Sequence, residues 1–307
     1  MKCSVCGKEA IVEVRYEGKA YCEKHFVDRF KKRVWKTVVK TKMIKPKERV
    51  AFGLSGGKDS SVALYILKPI LEKWRSEFFA ITIDQGISGY GDKLVEFAKK
   101  LTSDLGVEHY VYSMKDEIGV SIDEVARLNR PRAVCSYCGA FRRWILNKKA
   151  RELGADKLVI GHNLDDEAQT ALMNFIRGDL KRTARMGADI GVIEDPLFVP
   201  RVKPLREIPE REIKLFAYLK GLSPGDEQCP YVEEAFRKEV RKQLNTLEAK
   251  FPGTKFSILR SNDRLVEILR DYYKEFGHPN KCKICGELTA GDICKKCQFL
   301  AELGLRP

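Results

Sequence analysis

The sequence predicts an α/β fold: a doubly wound parallel sheet flanked by zinc-binding modules near both ends of the chain. Three observations predict it. Apolar strand-like runs alternate with helix-length amphipathic segments between residues 50 and 177, a glycine-rich turn joins the first run to the first helix, and regularly spaced cysteines cluster near each end.

The first strand begins at Val50 and ends at Leu54, and after a Ser-Gly-Gly-Lys-Asp-Ser turn a helix begins near Asp59. Phe78–Ile83 is the second strand and ends at Asp84; Gly91–Leu105 has helical periodicity. Val107–Ser113 is the third strand, Cys138–Leu153 a basic helix, and Lys157–Ile160 a further buried strand. Gly161–Asp166 then opens a helix that runs to about Arg177. In such a sheet ligands bind beyond the carboxyl ends of the strands, and the turn after Leu54, Asp84 and the Gly161–Asp166 turn all fall on that edge. Residues 204–207 read as an extended link into an amphipathic helix at 208–218, and residues 232–247 and 263–276 as helices of a region that receives RNA or simply packs. The expected divisions are 1–30, an N-terminal zinc finger; 31–220, the catalytic domain; 221–278, a helical region; and 279–307, a zinc ribbon.

Cysteine spacing separates three groups among the ten. Cys3, Cys6, Cys22 and His25 follow C-x2-C-x15-C-x2-H, and Cys282, Cys285, Cys294 and Cys297 follow C-x2-C-x8-C-x2-C. Short x2 pairs let one tight turn present two ligands to a tetrahedral ion, so each set is expected to hold a structural Zn2+ with no open position. Lys281, Lys283, Lys295 and Lys296 border the second set, leaving two roles open, contact with nucleic acid or a clamp on the chain. Cys135, Cys138 and Cys229 remain. Three thiols suit a cuboidal iron–sulfur cluster with one open iron, or a persulfide-bearing pair with a resolving thiol. Spacing does not separate the two.

Composition narrows the partner. The chain of 307 residues carries 57 basic and 43 acidic side chains, a net charge of +14, which favours a polyanion through counterion release. Abundant charge of both signs also suits surface ion-pair networks. No apolar run approaches the roughly 18 residues that span a bilayer, and no signal-peptide h-region is present, so a cytoplasmic protein without membrane contact is expected.

The turn at Ser55, Gly56, Gly57, Lys58, Asp59 and Ser60 combines close backbone approach, hydroxyl donors, a cation and a helix N-terminus, which together suit phosphate. It is not a Walker loop, because Phe52 stands where that pattern has its first glycine and Asp59 follows the lysine. Ser55–Ser60 resembles the SGGxDS signature of the PP-loop (ATP-pyrophosphatase) superfamily, whose fold is adenine nucleotide α-hydrolase-like. Together with Cys135-x2-Cys138-Gly, Gly-His-Asn-Leu-Asp-Asp-Glu at 161–167 and Cys229-Pro, the chain resembles the TtuA/TtcA group of tRNA thiolases. The zinc sites at both ends look like the TtuA side of that group.

The resemblance implies a tRNA 2-thiouridine synthetase that uses ATP, Mg2+ and a catalytic [4Fe-4S] cluster on Cys135, Cys138 and Cys229. It implies sulfur from a small ubiquitin-like thiocarboxylate carrier or from sulfide, a homodimer, and position 54 of tRNA as the leading target, with the wobble uridine or a cytidine as alternatives. The loop Ser55–Ser60 is implied to hold pyrophosphate, with Gly53, Ile83 and Gly161 lining the ATP site. Arg142 matches the family's basic residue four places after the second cluster cysteine; arginine stays charged and suits a phosphate clamp. Asp166 matches the acid implied to hold magnesium or assist proton movement, while helix-end chemistry also explains Asp165, Asp166 and Glu167. Two other functions fit parts of the chain: a PP-loop amide-forming ligase, and a zinc-ribbon RNA-binding scaffold with an idle nucleotide loop.

Overall fold

The computed structural model describes residues 1–187, 189–190, 195–225, 228–231, 236–273 and 280–307. An N-terminal hairpin, β1 (Val12–Val14) and β2 (Lys19–Tyr21), leads into α1 (Glu23–Thr41). Then follow β3 (Val50–Gly53), α2 (Lys58–Lys73), β4 (Phe78–Asp84), α3 (Gly91–Leu105) and β5 (His109–Ser113). Next come α4 (Met114–Ile118), α5 (Ile122–Arg127), α6 (Val134–Glu152), β6 (Lys157–Val159), α7 (Leu164–Ile176) and α8 (Leu180–Ala184). The chain continues through β7 (Asp189–Ile190), β8 (Arg201–Val202), α9 (Glu210–Lys220), α10 (Phe236–Lys250) and α11 (Thr254–Tyr273). It closes with β9 (Asn280–Lys281), β10 (Leu288–Thr289) and α12 (Lys295–Glu302).

The central sheet has the order β5-β4-β3-β6-β8-β7, parallel except for β7 at the edge. Strand period sorts its side chains into two cores. Val50, Phe52, Ala80, Val159 and Val202 face α1, α2, α3 and α9, whose Phe30, Leu64, Leu67, Ala98 and Phe216 fill one side. Ala51, Phe79, Ile81, Ile83 and Leu158 face α4, α5 and α6 through Met114, Ile122, Tyr137, Phe141 and Ile145. A sheet covered on both faces is the expected doubly wound arrangement.

Chain direction across the sheet reverses at β3. From β3 the chain builds outward to β4 and β5, then returns to place β6 on the other side of β3. The crevice between the carboxyl ends of β3 and β6 is therefore the topological switch point, where the turns leading into α2 and α7 splay apart.

Both cysteine-rich ends share these cores. Val12, Val14, Tyr21 and Phe26 belong to the first core, and Phe299, Leu300 and Leu303 to the second. Helix α1 runs unbroken through residue 30, where the sequence pattern places the end of the N-terminal finger.

Some elements differ from the sequence pattern. The basic helix starts at Val134 and includes both Cys135 and Cys138 in its first turn. Residues 203–208 form buried consecutive turns instead of an extended link, Arg206 N–H donating to the Lys203 carbonyl and Ile208 N–H to the Leu205 carbonyl, with Lys203 and Arg206 turned inward to pair with Glu167 and Asp263. Helix α11 begins at Thr254, earlier than the apolar spacing from Asp263 indicates. Of the two C-terminal helical segments read from sequence, residues 232–235 and 274–276 lie outside the described residues. No helix among the described residues is long and apolar enough to cross a membrane.

Candidate active site

The loop between β3 and α2 is built by its own hydroxyls. Ser60 Oγ accepts from the Ser55 N–H at 3.1 Å and donates to the Gly57 carbonyl at 3.1 Å, while Ser55 Oγ lies 3.1 Å from Ser60 Oγ. These bonds tie Ser55 to the first turn of α2 and leave backbone N–H groups at its N-terminus for an anion. Gly56 has φ +76°, and a Cβ there would lie 2.1 Å from the Leu94 carbonyl oxygen, so both backbone conformation and space demand glycine.

The neighbouring loop is pressed against this one. A Cβ on Gly161 would lie 2.7 Å from the Ser60 nitrogen and 2.9 Å from the Asp59 carbonyl carbon. Only glycine lets the β6–α7 turn touch the backbone of α2. Asn163 then bridges the pair: its Nδ2 donates to Asp59 Oδ1 at 3.0 Å and its Oδ1 accepts from the Asp166 N–H at 3.0 Å.

Charges in the crevice are mostly paired within the protein. Lys58 Nζ sits 3.0 Å from Asp59 Oδ2 and 2.9 Å from Glu210 Oε1, so the loop's cation is held by two carboxylates. Burial pushes the Asp59 carboxyl up against the opposing pull of Lys58 and Asn163. Asp165 accepts from the Glu210 N–H at 2.8 Å and pairs with Lys255; Glu167 pairs with Lys203 at 2.6 Å in the interior. Asp166 accepts from the Asn163 N–H at 3.2 Å, completing a capping box, and its other oxygen is 3.8 Å from Arg237. Of the three adjacent acids Asp166 is thus the capping residue and also the least committed, and burial raises its carboxyl.

Helix α6 joins this crevice to the three unassigned thiols. Cys135 is exposed and Cys138 half-buried in its first turn, and the segment from Cys229 lies across them, Cys135 Sγ donating to the Tyr231 carbonyl at 3.1 Å. Tyr231 is fixed in turn by its hydroxyl, which donates to Asp123 Oδ1 at 2.8 Å. Burial raises the Cys138 and Cys229 thiols, and Arg142 opposes it at both. Residues 138, 142 and 146 are spaced four apart and share one helix face, spanning about 12 Å at 1.5 Å per residue. Leu146 ends that row at Gly53, where a glycine Cβ would be 3.7 Å from its side chain. Arg142 stands midway between the thiols and the end of β3, and its buried Nε has no hydrogen-bond partner.

Sequence reasoning missed several residues here. Burial and the neighbouring Arg142 push the Arg143 guanidinium down, and burial with Arg143 nearby pushes that of Arg201, on β8, down to about 10. Arg201 aligns with Leu158 in the sheet and so points to the α6 side. Glu210, Lys203 and Lys255 were also unread. Their signal in sequence was faint: charged residues inside otherwise apolar stretches, with no motif spacing. Ile83, expected beside adenosine, is buried one residue before the end of β4, with its carbonyl accepting from the Gln85 side chain at 3.4 Å.

The two tetrads are compact. In the first, Cys3 and Cys22 sulfurs lie 3.4 and 3.3 Å from His25 Nδ1, and Cys6 Sγ is 3.8 Å from Cys22 Sγ. In the second, Cys285 and Cys294 sulfurs are 3.6 Å apart, and within each tetrad all four ligand atoms lie within 4.8 Å of one another. Tetrahedral zinc with bonds of about 2.3 Å to sulfur requires such spacing, so both donor sets fit the ion. Cys135, Cys138 and Cys229 lie outside both tetrads.

Comparison with known proteins agrees with this geometry. Residues 24–247 match the family model of the PP-loop domain, and residues 2–27 match that of the 2-thiouridine synthetase TtuA, N-terminal LIM domain. The tRNA 2-thiolation protein NcsA of Haloferax volcanii is 42% identical, the alignment covering 99% of each chain. The tRNA-5-methyluridine(54) 2-sulfurtransferase of Pyrococcus horikoshii is 37% identical over 97% of this chain and 93% of its own. A solved structure, the U34-tRNA thiolase NcsA from Methanococcus maripaludis with its [4Fe-4S] cluster, superposes with a TM-score of 0.85 at 39% identity, covering 100% of this chain and 98% of the other.

The thiol inventory yields a prediction. Seven cysteines sit in the tetrads and three outside, so in cluster-free, zinc-loaded protein three thiols should react promptly with a disulfide reagent under native conditions. Stripping zinc with a chelator should expose the other seven. Prompt reaction of all ten before chelation would contradict the two closed sites.

Proposed function

The chain belongs to the PP-loop tRNA 2-thiolation family, and from that premise we propose that it activates a tRNA uridine at O2 by adenylation and replaces that oxygen with sulfur. The observation that carries the reading is the α6 row, which sets Arg142 between three convergent thiols and the nucleotide loop. An amide-forming PP-loop ligase has no use for those thiols.

ATP is read into the crevice between β3 and β6, its β,γ-pyrophosphate on the N–H groups and positive end of α2, its adenosine along Gly53 and Ile83. Lys58 reaches the phosphates by leaving Glu210, whose carboxylate competes with them. Mg2+ accompanying the phosphates finds Asp59 on the same edge. Gly161 contributes by its closeness to α2 rather than by a side chain.

Uridine O2 then attacks the α-phosphorus; the new O–P bond forms as the α–β bridge breaks, and pyrophosphate remains with the loop. A sulfur nucleophile attacks C2, and AMP departs with the former O2. Cys135, Cys138 and Cys229 would hold a [4Fe-4S] cluster, which when bound supplies a fourth iron, free of thiolate, for the incoming sulfur. Arg142, its Nε unpartnered, clamps the phosphate of the departing AMP; permanent charge suits it to that role and not to proton transfer. Asp166, raised by burial, is placed to take the proton released around C2. Arg143 and Arg201, with no acid among their nearest charges, face the RNA backbone around the extruded base.

The finer assignments rest on the family resemblance: sulfur from a ubiquitin-like thiocarboxylate protein or from sulfide, a homodimer, and the divisions near residues 30, 220 and 278. Relatives of full length act on U34 and on position 54, at 39% and 37% identity, and the assay that tests the activity also assigns the position.

That assay is anaerobic reconstitution with iron and sulfide, ATP-dependent reaction with tRNA, and nucleoside mass spectrometry. The wild type should form 2-thiouridine, and Cys229→Ala should lose both the cluster spectrum and the product. Equal thiolation by cluster-free protein would move the chemistry to a persulfide route. The Lys58 clamp adds a second expectation. Lys58→Ala should weaken ATP about tenfold, whereas Glu210→Gln, by removing a competing carboxylate, should tighten it about threefold. Calorimetric titration checks both, and weaker binding in Glu210→Gln would contradict the competition.

A further inference from the structure

The C-terminal tetrad is far from idle packing. Its last two ligands frame α12: Cys294 is the N-cap and Cys297 lies fully buried within the helix. Two residues on, the ring of Phe299 packs tilted against that of Tyr137, centroids 4.9 Å apart, and Tyr137 is itself fully buried and stands in the sequence between Cys135 and Cys138. Glu302 accepts a paired hydrogen bond from Arg132 at 2.8 and 3.0 Å, just before the cysteine turn, and a longer one from the Tyr137 hydroxyl at 3.4 Å.

Contacts continue down α6. Trp144 packs against Cys282, Cys294 and Cys297 and lies between Lys148 and Lys296, whose ammonium groups are 5.2 and 4.8 Å from its ring. At the far end Arg151 grips Glu287, two residues beyond Cys285, at 2.5 and 3.0 Å. The cations that could have marked this module for nucleic acid are largely committed: Lys296 covers Trp144, Lys295 binds Gln298 at 2.7 Å, and Lys283 pairs with Asp292 at 2.9 Å.

We propose that the C-terminal zinc ribbon is the brace that fixes the Cys135–Cys138 turn, so that zinc in this tetrad and retention of the iron–sulfur cluster are coupled. The physical path is short. A structural zinc site supplies folding free energy to a segment too small to order itself. Cys297 therefore holds α12, α12 holds Tyr137 and Arg132, and those two fix the backbone that presents both thiolates. Tyr137, Phe299 and Glu302 act as positioning residues, since none reaches the reacting atoms.

The inference rests on the thiolase reading, and its test separates the two. Full-length wild type, Glu302→Gln and Phe299→Leu are loaded with zinc, reconstituted anaerobically, and followed by iron release to a colorimetric chelator, by electron paramagnetic resonance of the reduced protein, and by zinc content. Both variants should keep two zinc ions per chain yet release iron about fivefold faster, with altered resonance spectra, as the loss of a partly exposed ion pair or a packing contact implies. Release within twofold of wild type and superimposable spectra in both variants would overturn the brace alone. A wild type that takes up no cluster would overturn the cluster-dependent route and the brace together, while formation of 2-thiouridine by that same protein would leave the thiolase reading standing.

Discussion

Gly161 lies against the backbone of Asp59 and Ser60, and the arrangement of the crevice depends on that contact. Any side chain there would force the β6–α7 turn off α2, since even a Cβ would sit 2.7 Å from the Ser60 nitrogen. With glycine in place, the N-termini of α2 and α7 meet at the one point in the sheet where strand order reverses. Two positive helix ends then face the same small volume, and while the α7 N–H groups are taken by Asn163 and the Ile208 carbonyl, those of α2 are left for an anionic ligand group. Asn163 locks the approach from both sides, capping α7 while holding Asp59.

That geometry leaves the crevice electrostatically balanced rather than simply positive. Lys58 is shared by Asp59 and Glu210, Asp165 by Lys255 and the Glu210 N–H, and Glu167 by Lys203. Among the described residues, cations crowd one another on the α6 side, where Arg142 lies beside Arg143 and Arg143 beside Arg201. A nucleotide must therefore exchange partners with existing carboxylates on one wall, while the opposite wall, leading to the thiols, waits for anionic groups from outside. The helix that carries Arg142 and Arg143 also carries Cys135 and Cys138 and is held along its length by the C-terminal ribbon.

Motif residues were legible in the sequence because their spacing is dictated by local geometry. The x2 pairs of both tetrads, the Ser55–Ser60 turn and the β-strand periodicity all come from short-range rules, and the structure brings each set together. The strand β8 was hidden because its two residues, Arg201 and Val202, sit between prolines. Arg143, Arg201 and Glu210 went unread for another reason: their roles arise from where the sheet places them, not from any local pattern. The ribbon's lysines left two roles open, since charge in a sequence does not reveal an aromatic ring or a carboxylate beside it.

Oxygen transfer from the base to AMP is the central chemical claim. It is tested most directly with tRNA carrying oxygen-18 at uridine O2, in a single turnover with ATP and a sulfur source, followed by mass spectrometry of the nucleotide products. AMP should carry one heavy oxygen on its phosphate, and pyrophosphate should be unlabelled. Unlabelled AMP, or ADP and inorganic phosphate in place of AMP and pyrophosphate, would contradict it.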